Sequence, residues 1–271
     1  MNTVKRILAL FVALILVLSA SSCGKENAGQ INADEATQPS SEIEQTNASD
    51  QEESDASVAQ DGFLTDESED GIRITGYKGT ASEINIPKNI DGKPVVGITY
   101  LAFSGKSTIK KVTIPSSVKI IEARAFWKCE SLESVSLEDG IETIGEGAFC
   151  DCPKIGSVVF PASVREICAN AFANCSNLKT VEFIGSHDLS LDPYIFRKTA
   201  VENIRLPEGI TAIYFAAFAY MPLKSIYIPE SVTSIEDGSF MYSADNLTIT
   251  SKAGSVAEKY AKENEIPFVA E

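Results

Sequence analysis

The sequence is poor in histidine, the side chain used most often for general acid-base catalysis. It has one histidine, His187, and one tryptophan among its 271 residues. No glycine-rich phosphate loop, paired-histidine zinc motif or Gly-x-Ser-x-Gly elbow occurs, and no cysteine or serine stands at a recognisable nucleophile spacing from His187. We therefore expect a loop histidine without function, and we predict no enzymatic activity, no cofactor, no metal site and no small-molecule substrate.

The sequence also lacks the basic stripe that nucleic-acid binding requires. The formal net charge is −15, yet residues 24–70 hold fourteen acidic residues against one basic residue, Lys25. Residues 71–271 carry 24 acidic and 20 basic residues and are close to neutral. The charge pattern therefore predicts no nucleic-acid partner, and it divides the chain into an acidic N-terminal part and a larger balanced part.

The N-terminus has the pattern of a secretory signal. Lys5 and Arg6 precede an uninterrupted apolar run of twelve residues, Ile7–Leu18. As a helix this run would rise about 18 Å, well short of the ~30 Å hydrocarbon core of a bilayer. An export signal is therefore favoured over a permanent transmembrane helix.

The segment Leu18-Ser-Ala-Ser-Ser-Cys23 resembles a bacterial lipobox. The resemblance implies that residues 1–22 are removed and that Cys23 becomes the lipidated first residue. A lipidated Cys23 would hold the protein at the bacterial cell membrane, surface-exposed and outside the cytoplasm, because the attached acyl chains insert into the bilayer. Ala20 departs from the lipobox pattern, in which this position is usually Leu, and ordinary secretion with an incidental Cys23 is the alternative.

Residues 23–61 have the composition of a flexible tether. They are rich in Asn, Gln, Ser, Glu, Asp and Ala and have almost no large apolar side chains. Such a segment cannot bury enough surface to offset its ordering entropy, so the sequence predicts disorder, extended by repulsion between the acidic residues. The segment would hold the remaining residues, 62–271, away from the cell envelope.

Residues 62–271 contain an internal repeat of about 23 residues, visible in three columns. The first column is phenylalanine, usually preceded by alanine, at Phe103, Phe126, Phe149, Phe172, Phe196, Phe218 and Phe240. The second is a pair of apolar residues that alternates with polar ones, at Val112/Ile114, Val135/Leu137, Val158/Phe160, Val181/Phe183, Ile204/Leu206 and Ile226/Ile228. The third stands five residues before the phenylalanine, at Ile121, Ile144, Ile167, Ile213 and Ile235.

These columns predict a repeat solenoid of the α/β type that consists mostly of strand and turn. The alternating pairs indicate one short parallel strand per coil with one buried face. One coil cannot bury its apolar side alone, so neighbouring coils stack and each column becomes a ladder inside the solenoid. Asp61–Ile98 departs from the repeat, and Ala257, Tyr260 and Ala261 have helical spacing, so both ends look capped and a small C-terminal helix is expected.

Two of these units carry a family resemblance. Residues 141–155 (Ile-Glu-Thr-Ile-Gly-Glu-Gly-Ala-Phe-Cys-Asp-Cys-Pro-Lys-Ile) and 164–178 are similar to the BspA-type leucine-rich repeat of bacterial surface proteins. The opening at residues 77–95 and the helical end are similar to the first and last coils of that family. The resemblance covers about residues 62–271 and implies a surface-exposed protein that contacts other proteins, matrix or neighbouring cells. It implies no catalytic activity.

The cysteines form a further column. Cys129, Cys152 and Cys175 each lie three residues after a phenylalanine. A ladder of small buried side chains is the favoured interpretation, and one disulfide is the rival. Zinc is disfavoured because parallel ladder side chains do not converge on four ligand positions. Cys150 and Cys168 do not repeat, and the sequence assigns them no role.

The outward strand positions are the predicted binding face of the solenoid. Across the stacked coils they should form one surface, made by Thr113, Ser136, Val159, Glu182, Arg205 and Tyr227. Trp127 is a second candidate, although a tryptophan at a turn is as often packed against the protein as available for binding. We expect a protein ligand, in adhesion or another protein-protein interaction, and a structural envelope protein without a specific ligand is the alternative.

Overall fold

The computed structural model describes residues 57–58, 62–243 and 245–271. The predicted signal peptide, Cys23 and residues 24–56 and 59–61 of the predicted tether lie outside the described residues. No helix within the described residues is long and apolar enough to cross a membrane.

The described residues form twenty strands and one α-helix. In chain order these are β1 (Ser57–Val58), β2 (Phe63–Ser68), β3 (Gly71–Tyr77), β4 (Glu83–Asn85), β5 (Asn89–Ile90), β6 (Lys93–Ile98), β7 (Lys111–Ile114), β8 (Ile120–Ile121), β9 (Ser134–Leu137), β10 (Thr143–Ile144), β11 (Ser157–Phe160), β12 (Glu166–Ile167), β13 (Thr180–Phe183), β14 (Leu189–Leu191), β15 (Asn203–Arg205), β16 (Ile210–Ile213), β17 (Ser225–Tyr227), β18 (Ser234–Ile235), β19 (Thr248–Ser251), α1 (Val256–Glu263) and β20 (Phe268–Ala270).

The predicted strands stack as a front sheet. It contains β4, β7, β9, β11, β13, β15, β17, β19 and β20, paired in parallel within the sections β4-β7-β9, β11-β13 and β15-β17-β19-β20. The register aligns equivalent positions of successive coils, for example Val112 with Val135. The solenoid of stacked coils is therefore confirmed.

A second ladder, the side sheet, goes beyond the single strand per coil that the sequence predicted. The isoleucine column lies on parallel strands in the orders β3-β6-β8-β10-β12 and β14-β16-β18, of which β8, β10, β12 and β18 have only two residues each. In this ladder Ile98 pairs with Ile121, and Ile144 pairs with Ile121 and Ile167. Two-residue strands are too short to be recognised by alternation, so the sequence showed only their buried residues.

The phenylalanine column is the centre of the core. Ring centroids of Phe103, Phe126, Phe149 and Phe172 follow one another at 4.8, 5.1 and 5.1 Å, with nearly parallel planes. The spacing widens to 6.2 and 6.1 Å on either side of Phe196. This is the coil in which Ile195 replaces the usual alanine, so the stack is loosest where the sequence departs most from the repeat.

The alanine column lies in a tight turn. The residues two before and two after each phenylalanine have positive φ, from 54° to 82°. They are Leu101, Arg124, Gly147, Asn170, Tyr194, Ala216 and Gly238 before it, and Gly105, Lys128, Asp151, Asn174, Lys198, Tyr220 and Tyr242 after it. Between them the Phe126 N–H donates to the Ala148 carbonyl at 2.8 Å, and the same bond recurs from coil to coil. We call this surface of the solenoid the turn face.

Both ends of the core are covered. At the N-terminal end the antiparallel hairpin β2-β3 places Phe63 and Tyr77 against Phe103, at 6.4 and 5.9 Å between ring centroids. At the C-terminal end α1 buries Ala257, Tyr260 and Ala261, and the Tyr260 ring meets Phe240 edge-on at 5.7 Å. The predicted small C-terminal helix is confirmed.

Candidate functional site

The described residues contain no group of three or more His, Cys, Asp or Glu side chains that could hold a metal ion. His187 lies in the loop between β13 and β14, as the sequence predicted, and it is completely buried, with Nδ1 3.2 Å from the Val164 carbonyl oxygen. It follows the apolar positions Val118, Ile141 and Val164 at successive intervals of one coil. Candidate sites in the described residues therefore lie on the surface of the solenoid.

The front sheet presents a row of outward side chains across its three paired sections, which we call the strand row. The six residues predicted from the sequence lie in it, and Thr113 pairs with Ser136, Val159 with Glu182, and Arg205 with Tyr227. The register extends the row at both ends, to Asn85, Thr250 and Val269. Ser136, Val159, Glu182 and Arg205 are exposed, whereas Thr113 and Tyr227 are half-buried.

Arg205 and Tyr227 are organised as a pair. The Arg205 guanidinium carbon lies 3.5 Å from the centre of the Tyr227 ring, and Nη1 lies 3.7 Å from a Glu271 carboxylate oxygen. A cation over an exposed aromatic face contributes about 0.5–1 kcal/mol. The pair therefore presents a planar cation and an aromatic ring in a fixed arrangement, and both residue types are enriched in binding hot spots.

Trp127 lies on the turn face and is packed. Its Nε1–H donates to an Asp151 carboxylate oxygen at 2.9 Å, and the Lys128 ammonium lies 4.3 Å from its ring centre. Asp151 also accepts from the Asn174 amide at 2.7 Å. A shallow depression beside the tryptophan is lined by Lys128, Glu130, Asp151, Pro153 and Asn174. Because the indole N–H and one ring face are occupied, Trp127 is a weaker candidate for a ligand contact than the sequence allowed.

A second aromatic group on the turn face was missed by sequence reasoning. Tyr194, Arg197, Phe215, Tyr220 and Tyr242 form what we call the tyrosine–arginine cluster. Tyr194 meets Phe215 edge-on at 5.8 Å, and Tyr220 stacks on Tyr242 at 4.8 Å. The Arg197 guanidinium lies 5.6 Å from the Tyr194 ring and 5.4 Å from the Tyr220 ring. The available signal was that Tyr220 and Tyr242 both stand two residues after a column phenylalanine.

The cysteine column is structural. Cys129, Cys152 and Cys175 are buried free thiols, so the rival disulfide is not formed among them. Each Sγ lies 3.1 Å from the carbonyl oxygen of the phenylalanine in the preceding coil, at Phe103, Phe126 and Phe149. Ser243 makes the equivalent bond to Phe218 at 2.7 Å. Burial raises the pKa of the Cys175 thiol to about 12, so it stays a neutral donor at physiological pH.

Comparison with known proteins identifies the family. A family model described as the BspA type leucine rich repeat region, in six copies, matches residues 77–192 and 186–261. No curated protein matches the chain.

Two solved structures share the fold. One is a leucine rich cell surface protein from Faecalibacterium prausnitzii, with 30% sequence identity and a TM-score of 0.60 over 70% of this chain and 53% of that one. The other is the leucine rich repeat protein of T. pallidum, with 23% identity and a TM-score of 0.52 over 77% of this chain and 95% of that one. The chain thus spans about half the length of the F. prausnitzii protein. Since the family model covers most of the solenoid and the structure has its stacked coils, the chain belongs to the BspA-type leucine-rich repeat family.

Proposed function

We propose that the protein binds another protein at the bacterial cell surface, with the strand row as its contact surface. The observation that carries the proposal is the register of the front sheet, which aligns the outward side chains of successive coils within each paired section. Extended faces of this kind are what solenoids use for binding. Membership of the family, and a structural relative that is itself a cell surface protein, support the same role.

The composition of the strand row favours a ligand over a purely structural role. A solvated structural sheet would carry polar side chains throughout, but Val159 is 37% exposed and Val269 is 52% exposed. Arg205 and Tyr227 supply a preorganised cation and ring between these positions. Apolar, aromatic and guanidinium groups together are typical of protein interfaces. We infer a non-enzymatic binding module of the adhesion type.

A pull-down tests this function. The full chain is used as bait against matrix proteins and cell-surface extracts, beside the variant Arg205→Ala/Tyr227→Ala. The matched control, Arg165→Ala/Tyr100→Ala, removes the same residue types from exposed positions outside the strand row. Capture of a defined protein by the parent and the control, but not by the first variant, supports the proposal. Absence of any captured protein, with all three proteins folded, would favour the structural envelope role instead.

We further propose that Cys23 carries the lipid anchor. In this proposal residues 1–22 are the lipoprotein signal peptide, residues 23–61 are the tether, and residues 62–271 are the solenoid with its caps. The lipobox resemblance and the acidic composition of the tether support it. Growth of an expressing bacterium on radiolabelled palmitate should label the parent protein but not a Cys23→Ser variant. Equal labelling of both, or of neither, would favour ordinary secretion.

A further inference from the structure

The tyrosine–arginine cluster contains a cation whose hydrogen-bonding capacity is unused. Arg197 Nε is buried and has no hydrogen-bond partner, and Arg197 has no ion pair among the described residues. The rings of Tyr194 and Tyr220 flank the guanidinium. A buried N–H without an acceptor is rare in proteins and calls for an explanation. Since Nε itself is shielded from solvent, an acceptor from outside the chain would meet the rest of this half-buried guanidinium.

The surroundings of Arg197 determine what that acceptor should be. The next residue, Lys198, is exposed and likewise has no ion pair among the described residues. On the front side of the solenoid, by contrast, Lys224 pairs with Glu202 at 2.6 Å. Two adjacent unpaired cations complement an anion. The planar guanidinium, held between two rings, favours a carboxylate because its N–H groups match both carboxylate oxygens.

The aromatic content points to a protein as the source of the carboxylate. Tyr220 is 44% exposed and Tyr242 is 59% exposed, and their stacked rings continue the surface from Arg197 along the next two coils. Tyrosine and arginine dominate protein hot spots because they combine apolar area with hydrogen bonding at low entropic cost. A sulfated glycan would instead need a run of cations. The cluster contains one cation, Arg197, and its neighbour in the chain, Lys198, is the other.

We infer that the tyrosine–arginine cluster is a second docking site, which binds an acidic segment of a partner protein. A carboxylate of that segment accepts hydrogen bonds from Arg197, a neighbouring carboxylate faces Lys198, and the segment packs over Tyr220 and Tyr242. This inference rests on the proposed protein-binding function but places the contact on the turn face, away from the strand row.

Fluorescence anisotropy tests the inference with a defined probe. The full chain is titrated into a fluorescein-labelled hexapeptide of alternating Asp and Glu, and into the matched Asn/Gln hexapeptide. We expect binding of the acidic peptide only. Arg197→Gln should weaken it about tenfold or more, and Arg197→Lys should also weaken it because the planar fork is lost although the charge remains. The surface variant Tyr242→Ser should weaken it while folding normally, as checked by circular dichroism.

Two controls make the outcome decisive. Arg165→Gln removes an equal charge from an exposed position elsewhere and should leave the affinity within about twofold, because distant exposed charges are screened by salt. The strand-row variant Arg205→Ala/Tyr227→Ala should bind the peptide like the parent, so failure of the strand row and failure of this site are distinguishable. No binding up to millimolar peptide, or equal weakening by Arg165→Gln and Arg197→Gln, overturns the inference. Displacement of the peptide by a heparin hexasaccharide at lower concentration overturns the choice of a protein partner.

Discussion

At the scale of single residues, His187 stands in a column that otherwise holds Val or Ile. Its Nδ1 is satisfied by the Val164 carbonyl, but its buried Nε2 has no partner. An unsatisfied buried polar atom costs about 1–3 kcal/mol. We predict that His187→Ile raises the free energy of unfolding by about 1 kcal/mol, because an apolar side chain suits this site better. Urea denaturation at neutral pH measures the change.

The reciprocal substitution provides the control for His187. Val164→His places an imidazole in the same column one coil earlier and should lower the free energy of unfolding. A loss of stability in His187→Ile would contradict this account, since it would mean that the imidazole makes a favourable interaction that Ile cannot replace.

The raised pKa of Asp192 predicts that the stability of the protein depends on pH. Burial raises the pKa of this carboxyl to about 6 from its ordinary 3.8, Glu166 adds to the rise, and a hydrogen bond from the Ala169 backbone opposes it. The folded state therefore prefers the protonated acid, and the stability contributed by Asp192 is complete below pH 4 and is lost as the pH rises to 6. Asp192→Asn should be unchanged in stability near pH 3.5 and more stable by about 1 kcal/mol at pH 7, a value kept small because the site is partly solvated.

Denaturation of the parent and Asp192→Asn at both pH values measures this difference. The parent itself is the control, because the difference in free energy of unfolding between the two proteins must appear between pH 4 and 6. A gap of constant size at both pH values would mean that the effect comes from packing rather than from ionisation of Asp192.

At the scale of the coil, Gly140 allows close approach between neighbouring turns. Its φ is 147°, and a Cβ at this position would lie 2.1 Å from the Ser116 carbonyl oxygen. Gly209, three coils later, makes the same approach to the His187 carbonyl, at 2.2 Å. We predict that Gly140→Ala lowers the free energy of unfolding by about 2–4 kcal/mol, because backbone on both sides must shift.

Gly156→Ala is the matched control for this substitution. A Cβ on Gly156 would meet no atom within 4 Å, so the change should stay within about 0.5 kcal/mol of the parent. Thermal denaturation of both variants measures the difference, and similar melting temperatures would contradict the proposed close approach.

The columns of the coil could be read from the sequence, but the contacts between columns could not. Spacing alone revealed the phenylalanine stack, the front strands and the cysteine positions. It could not show that Cys152 donates to the Phe126 carbonyl of the preceding coil, because that bond depends on the offset between stacked coils. The burial of His187 was missed because histidine does not mark an apolar column, although His187 stands one coil after Val164. Tyr194 and Tyr220 were missed as neighbours because positive φ turns bring them onto one face.

At the scale of the whole molecule, a solenoid is stabilised by contacts between successive coils, so its ends are its weak points. The last coil would otherwise expose Phe240 and the free edge of β19. The Tyr260 ring covers Phe240, and β20 pairs in parallel with β19. The helix that carries Tyr260 is capped by Ser255, whose hydroxyl accepts from the Glu258 N–H at 3.2 Å, and Glu258 pairs with Lys262 at 2.6 Å.

Removal of this cap should cause the chain to associate into larger species than the parent forms. A chain that ends at residue 255 lacks α1 and β20, and exposed aromatic surface beside an unpaired strand edge is a template for association. We predict oligomers by size-exclusion chromatography with light scattering, together with a lower denaturation midpoint. Glu263→Ala, which removes only an exposed i,i+4 ion pair at 3.9 Å, should leave both properties unchanged. A truncated chain with the parent's oligomeric state and midpoint would show that the solenoid closes its core without the helix, and that stability is set by the coils between Phe103 and Phe218.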